Sequence, residues 1–107
     1  MDVYSALLEL AKRREIMVID DASFPRSIRG FYSRMGDKHM IVLNKSLSSK
    51  IGPLILAHEL GHYQLHRHKI AMDLYAHKDK YDFIEDEKYE RQADAFAKRL
   101  VSFVSIA

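Results

Sequence analysis

The chain has 107 residues, the size of one domain with one core, and its balance of 48% hydrophobic to 30% charged residues fits a globular protein and excludes a disordered one. Lys+Arg 17 against Asp+Glu 15 leaves a formal charge of +2, without the clustered basic excess that would argue for a nucleic-acid partner, and no apolar run approaches the roughly 18–20 residues a membrane span needs. The chain has no cysteine, which excludes disulfides, thiolate metal sites and thiol nucleophiles together, so any metal must be held by His, Asp or Glu.

The amino-terminal segment does not read as a secretory signal, because Glu9, Lys12, Arg13 and Arg14 interrupt its apolar residues; cytoplasmic residence is the expectation. Val3, Ala6, Leu7, Leu10 and Ala11 instead fall on one face of an amphipathic helix, with Asp2 placed to cap it. Ile16 to Ile19 is a β-branched run that reads as a buried strand, with Asp20 and Asp21 as its terminal cap. Gly30–Arg34 and His39–Leu43 read as a hairpin about a turn at Met35-Gly36-Asp37-Lys38. Ser46 or Ser48 can cap the next helix, and Pro53, tolerable only in a first turn, sets its start near Ser49–Gly52; the helix should run through His66.

That helix carries Ala57-His58-Glu59-Leu60-Gly61-His62, an H-E-x-x-H motif. Helical residues four apart lie about 5–6 Å apart on one face, so His58 and His62 can share one zinc ion with Glu59 beside it, the zincin signature. Ile51, Leu54, Ile55 and Leu65 share the histidine face, and Leu56 and Leu60 lie opposite. A helix apolar on both sides is central, and its histidines point inward.

Residues 67–85 are polar with scattered aromatics and read as a short helix plus a loop, a candidate lid. After Asp86 comes a last helix with Ala93, Ala97, Leu100, Val101 and Val104 on its apolar stripe and Lys88, Arg91, Gln92 and Arg99 on the polar side. Glu90 and Asp94 share the apolar stripe, where unpaired carboxylates lose hydration without replacement; a metal on the facing helix resolves both. In this reading Glu90 is the third zinc ligand and Asp94 accepts the free ring N–H of a ligand histidine. Water fills the open position, and Glu59 is the catalytic general base that passes its proton to the leaving amine. Tyr63, His66, Tyr75 and His77 are all candidate oxyanion donors. A pair of hydrogen-bonded core histidines is the plainer alternative, and it leaves the two carboxylates unexplained.

The segment Ala57-His58-Glu59-Leu60-Gly61-His62-Tyr63-Gln64-Leu65-His66, followed by Glu90-Arg91-Gln92-Ala93-Asp94-Ala95-Phe96-Ala97, resembles the ImmA/IrrE group of gluzincin-type metallopeptidases, and Ile41-Val42-Leu43-Asn44 resembles the strand before that group's active-site helix. The resemblance spans roughly Gly30 to Val101. It implies zinc on His58, His62 and Glu90, Glu59 as acid/base, and a regulatory endopeptidase acting on a protein substrate such as a helix-turn-helix repressor of a prophage or mobile element. Members commonly continue past the second helix, whereas this chain stops at Ala107. That departure motivates a second reading, a zinc-bound regulatory module that binds a protein partner without cutting it.

The expected fold is thus α+β and zincin-like, one domain over residues 1–107: a small twisted three-stranded sheet on an active-site helix crossed by a second ligand-bearing helix. His66 continues the ligand face and reads as a residue behind the ligands, not a fourth one, since a catalytic site keeps a position open. His39, His68 and His77 read as surface residues, and the charged tract 77–82 as a solvated face. Met40–Leu43 reads either as an interior strand or as the sheet edge beside the cleft, where an extended peptide would add as a further strand.

Overall fold

The computed structural model describes residues 2–21, 24, 25, 27–68 and 87–106. The candidate lid, Tyr75, His77 and the tract 77–82 lie outside these residues.

The first helix, α1, spans Val3–Arg13 and starts as its sequence requires: the Asp2 side chain accepts from the Ser5 amide at 2.7 Å. Leu7 and Ala11 are its fully buried residues. Three strands follow, β1 (Ile16–Asp21), β2 (Gly30–Met35) and β3 (Lys38–Asn44). β2 and β3 form the expected antiparallel hairpin, with Met35 opposite Lys38 and Gly36 in the left-handed region at φ 61, which places glycine first in a two-residue turn.

The sheet order is β1-β3-β2, with β1 parallel to β3. β3 is therefore the central strand, and the edge reading of Met40–Leu43 is corrected. The physical reason is visible in Met40-Ile41-Val42-Leu43, an unbroken apolar run of the kind that strands covered on both faces carry. β1 also departs from expectation. It continues through Asp20 and Asp21, paired with Leu43 and Asn44, so these aspartates are strand residues and not a terminal cap. As an edge strand it buries Ile16 but leaves Met17 and Ile19 exposed.

The second helix, α2, spans Lys45–His66, and Ile51 breaks its geometry at φ −122, ψ 17, where two helical pieces meet. Pro53, two residues on, fits the break, because proline has no N–H to donate to the preceding turn and its ring crowds the carbonyl four residues before it. The expected start near Ser49–Gly52 thus marks the second piece. A first piece, missed in the sequence, begins at Lys45, and its cap is Asn44 rather than Ser46 or Ser48: Asn44 Oδ1 accepts from the Ser46 amide at 3.1 Å.

Leu56, Leu60, Ile55 and Ala57 of α2 meet Ile16, Ile41, Leu43 and Tyr32 of the sheet, together with Leu7 and Ala11 of α1, in one buried cluster. Burying each large aliphatic side chain there contributes about 1.5–3 kcal/mol, which fixes α2 against the sheet. The last helix, α3 (Glu87–Ile106), buries Ala93 and Ala97 against α2. Among the described residues no helix is long and apolar enough to cross a membrane. The architecture is the expected α+β arrangement, a small mixed sheet with helices, compatible with a zincin-like fold.

Candidate metal centre

α2 and α3 cross at two small residues. A β-carbon on Gly61 would lie 3.1 Å from the Ala93 Cα and 3.2 Å from its carbonyl oxygen, so the two backbones approach as closely as side chains permit. This crossing brings Glu90, one turn before Ala93, over the histidine face of α2. His58 Nε2 lies 2.9 Å from Glu90 Oε2, His62 Nε2 lies 2.9 Å from Glu90 Oε1, and the two Nε2 atoms are 3.2 Å apart. One ligand atom from each of His58, His62 and Glu90 falls within 4.8 Å of the others.

The residues behind this cluster are also placed. Asp94 Oδ1 lies 2.7 Å from His58 Nδ1, on the ring atom away from Glu90. Asp94 reaches it from the surface, with 65% of its side chain exposed, so the expectation that both carboxylates are buried holds only in part for Glu90, at 34%. His66 is fully buried, its Nδ1 3.0 Å from His62 Nδ1 and its Nε2 2.8 Å from Gln92 Oε1. Gln92 was read as part of the polar side and its reach to His66 was missed; its spacing of three from Tyr89, which stacks on the same imidazole at 4.2 Å, was the available signal.

Glu59 is buried, at 3% exposure, and its Oε1 has no hydrogen-bond partner among the described residues. Burial lifts its carboxyl to about 7 against the opposing pull of His62, His58 and the Tyr32 backbone amide. Burial would also discourage charge on His58, but hydrogen bonds to Glu90 and Asp94 and the charges of Glu59 and Glu90 outweigh it and raise the imidazole to about 9. For Glu90 burial is likewise overcome, by hydrogen bonds and charge from His58 and His62, and the carboxyl falls to about 2. His58 and Glu90 thus each favour the other's charged form. Two imidazoles and a carboxylate converging beside a buried carboxylate with an unpartnered oxygen are a donor set that fits a metal ion.

The cluster lies in a cleft of about 760 Å³ whose walls include Ile51, Leu54 and Ile55 of α2, Lys98 of α3, and Arg29 and Gly30 at the start of β2. Gly30 fits because a β-carbon there would meet the Val42 carbonyl oxygen at 2.5 Å and Ile55 Cγ2 at 3.1 Å. The Asn44 amide donates to the Arg29 carbonyl at 2.8 Å, which continues the ladder of the hairpin and sets its phase. Backbone groups of Gly30, Tyr32 and Arg34 therefore point away from β3, and Tyr32 uses its amide on Glu59. The strand edge beside the cleft is β2.

Two further expectations are corrected. Tyr63 does not line the cleft: it packs edge-on against His39 at 5.0 Å and Tyr32 at 6.0 Å, with Arg67 over its ring, because its position on α2 faces the sheet. His39 is not a plain surface residue; its Nδ1 pairs with the Tyr32 hydroxyl at 2.6 Å in a half-buried setting, whereas His68 is exposed as expected.

No curated protein and no solved structure matches the chain. A family model does, the IrrE N-terminal-like domain of a peptidase family, over residues 11–101, a span that holds β1, the hairpin, α2 and all the clustered residues above. The chain belongs to the ImmA/IrrE family of peptidases.

Proposed function

We propose that the protein is a zinc-dependent endopeptidase in which His58, His62 and Glu90 hold the metal and Glu59 is the general acid/base. The observation that carries this reading is the convergence of three ligand atoms within 4.8 Å beside a buried carboxylate, at the floor of an open cleft. Bound there, zinc would supply an activated water and polarise the scissile carbonyl.

The chain's own residues do the rest. Asp94 holds the His58 ring so that Nε2 faces the cluster, and His66 does the same for His62. Glu59, with its carboxyl near 7, is poised both to take a proton at Oε1 and to return it to the leaving amine. An extended peptide would lie along β2, pairing with the outward amide and carbonyl of Gly30, with side chains against Ile51, Leu54 and Ile55. A substrate such as a helix-turn-helix repressor is part of this proposal, supported by the family alone.

The test is to purify the protein, measure zinc per chain, and incubate it with candidate substrate proteins. About one zinc per chain and a single cut that disappears in Glu59→Gln are expected. Cleavage that survives Glu59→Gln would dispose of the mechanism.

A further inference from the structure

The two clustered histidines are held from behind in different ways. His58 Nδ1 meets a carboxylate directly, Asp94 at 2.7 Å, close to solvent. His62, at 1% exposure, meets another imidazole, and that imidazole ends on an amide, Gln92 Oε1 at 2.8 Å.

The bonds along this second arm have a direction. Two Nδ1 atoms 3.0 Å apart can share only one proton. When His62 donates from Nδ1, as it must once a metal replaces the proton that Nε2 shares with Glu90, His66 Nδ1 is the acceptor and the His66 proton sits on Nε2, facing Gln92 Oε1. When the order is reversed, His62 carries its proton on Nε2, where a metal ligand must be bare, and His66 Nε2 has to accept from Gln92. With Gln92 Oε1 turned to the ring, as found here, the end of the chain accepts and so matches the first order; the reverse order needs the amide turned over to present its Nε2.

We infer that Gln92 is a positioning residue which, acting through His66, supports the tautomer of His62 that a metal on Nε2 requires. Tyr89 keeps the His66 ring flat in this line by stacking on it at 4.2 Å and 17°. The inference deepens the proposed metal site and rests on it, but it assigns a role to an α3 residue that touches neither metal nor substrate.

The experiment measures zinc affinity by chelator competition in the wild type, Gln92→Leu, Gln92→Glu, His66→Phe and the His66→Phe/Gln92→Leu double variant. Loss of the terminal acceptor should weaken zinc binding by about tenfold in Gln92→Leu and about 10–100-fold in His66→Phe. Gln92→Glu, which only accepts, should bind as tightly as the wild type. The double variant should bind no more weakly than His66→Phe, because Gln92 acts through that ring. Nitrogen-15 spectra of the zinc-loaded protein should show His66 protonated on Nε2 alone. Gln92 lies on the exposed side of α3, so Gln92→Leu reports even if His66→Phe fails to fold.

Wild-type affinity in Gln92→Leu, or a His66 proton on Nδ1 in the loaded protein, overturns the inference and leaves the metal site standing. A wild type that binds no zinc removes both.

Discussion

Gly61 of α2 rests on Ala93 of α3 so closely that a β-carbon would sit 3.1 Å from the Ala93 Cα and 3.2 Å from its carbonyl oxygen. Both are backbone atoms and yield little, so Gly61→Ala must part the helices by a few tenths of an ångström, at the point that sets the distance from Glu90 to the two histidines. Alanine also favours a helix over glycine by about 1 kcal/mol, which offsets much of the strain. The variant should therefore unfold at nearly the wild-type temperature without metal, yet bind zinc about tenfold more weakly. Chelator competition and thermal unfolding of the metal-free protein check this; an unaltered affinity would show that the crossing does not govern the site.

Glu59→Gln separates two properties of one carboxyl. The amide keeps the shape but cannot move a proton, so cleavage should fall by about 10²–10⁴-fold while zinc stays bound. The same change should alter the pH dependence of folding. The Glu59 carboxyl titrates at 4.5 ordinarily and at about 7 in the fold, so the folded state holds the extra proton, and stability is lost as pH rises from 4.5 to 7. Metal-free Glu59→Gln lacks that loss and should be more stable than the wild type at pH 8 by on the order of 3 kcal/mol. Urea unfolding at pH 5 and pH 8 measures the difference; equal pH slopes in the two proteins would contradict it.

Metal binding should release protons. His58 is raised to about 9 from 6.5, a contribution present below pH 6.5 and lost as pH rises through 9. Glu90 is lowered from 4.5 to about 2, a contribution present above pH 4.5 and lost as pH falls towards 2. These are two ends of one interaction, and with Glu59 their summed contribution to the metal-free protein is greatest near pH 5. Zinc must displace the His58 proton, so its affinity should rise by about tenfold per pH unit between pH 7 and pH 9. Calorimetry in buffers of different ionisation heat should find about one proton released per zinc at pH 7.5. An affinity independent of pH over that range would mean that His58 does not exchange a proton for metal.

The clustering of the candidate site's residues was more legible in the sequence than the order of the sheet, for a physical reason. His58, Glu59 and His62 lie within two helical turns, and Glu90 and Asp94 within another, so local periodicity alone aligns each set. The order β1-β3-β2 depends on pairings between distant segments that no local pattern encodes, which is why β3 could be read as an edge. Gln92 was missed because a residue on the polar side of a helix can still extend an amide to a buried ring. Asn44 was missed because serines nearby were equally good caps by type, and only the fold decides which side chain has its other atoms occupied.

That occupation gives a last prediction. Asn44 is fully buried, and its Oδ1 accepts from the Ser46 amide and hydroxyl while its Nδ2 donates to the carbonyls of Pro25 at 3.0 Å and Ile28 at 2.8 Å. One side chain thus caps α2 and ties down the segment that brings Ser27, Ile28 and Arg29 to the cleft. Asn44→Ala removes a cap and the donor to the Ile28 carbonyl, whereas the Pro25 carbonyl keeps the Ile28 amide, for a loss of about 2–3 kcal/mol. Asn44→Asp retains the cap but sets a carboxylate against two carbonyl oxygens, so it should rescue little of that loss. His58, His62 and Glu90 stand on α2 and α3 and not on this segment, so zinc affinity should be unchanged while KM for a peptide substrate rises more than kcat falls. Steady-state kinetics beside zinc titration decide the matter: a fall in zinc affinity equal to the fall in kcat/KM would mean that Asn44 supports the metal site and not the substrate wall.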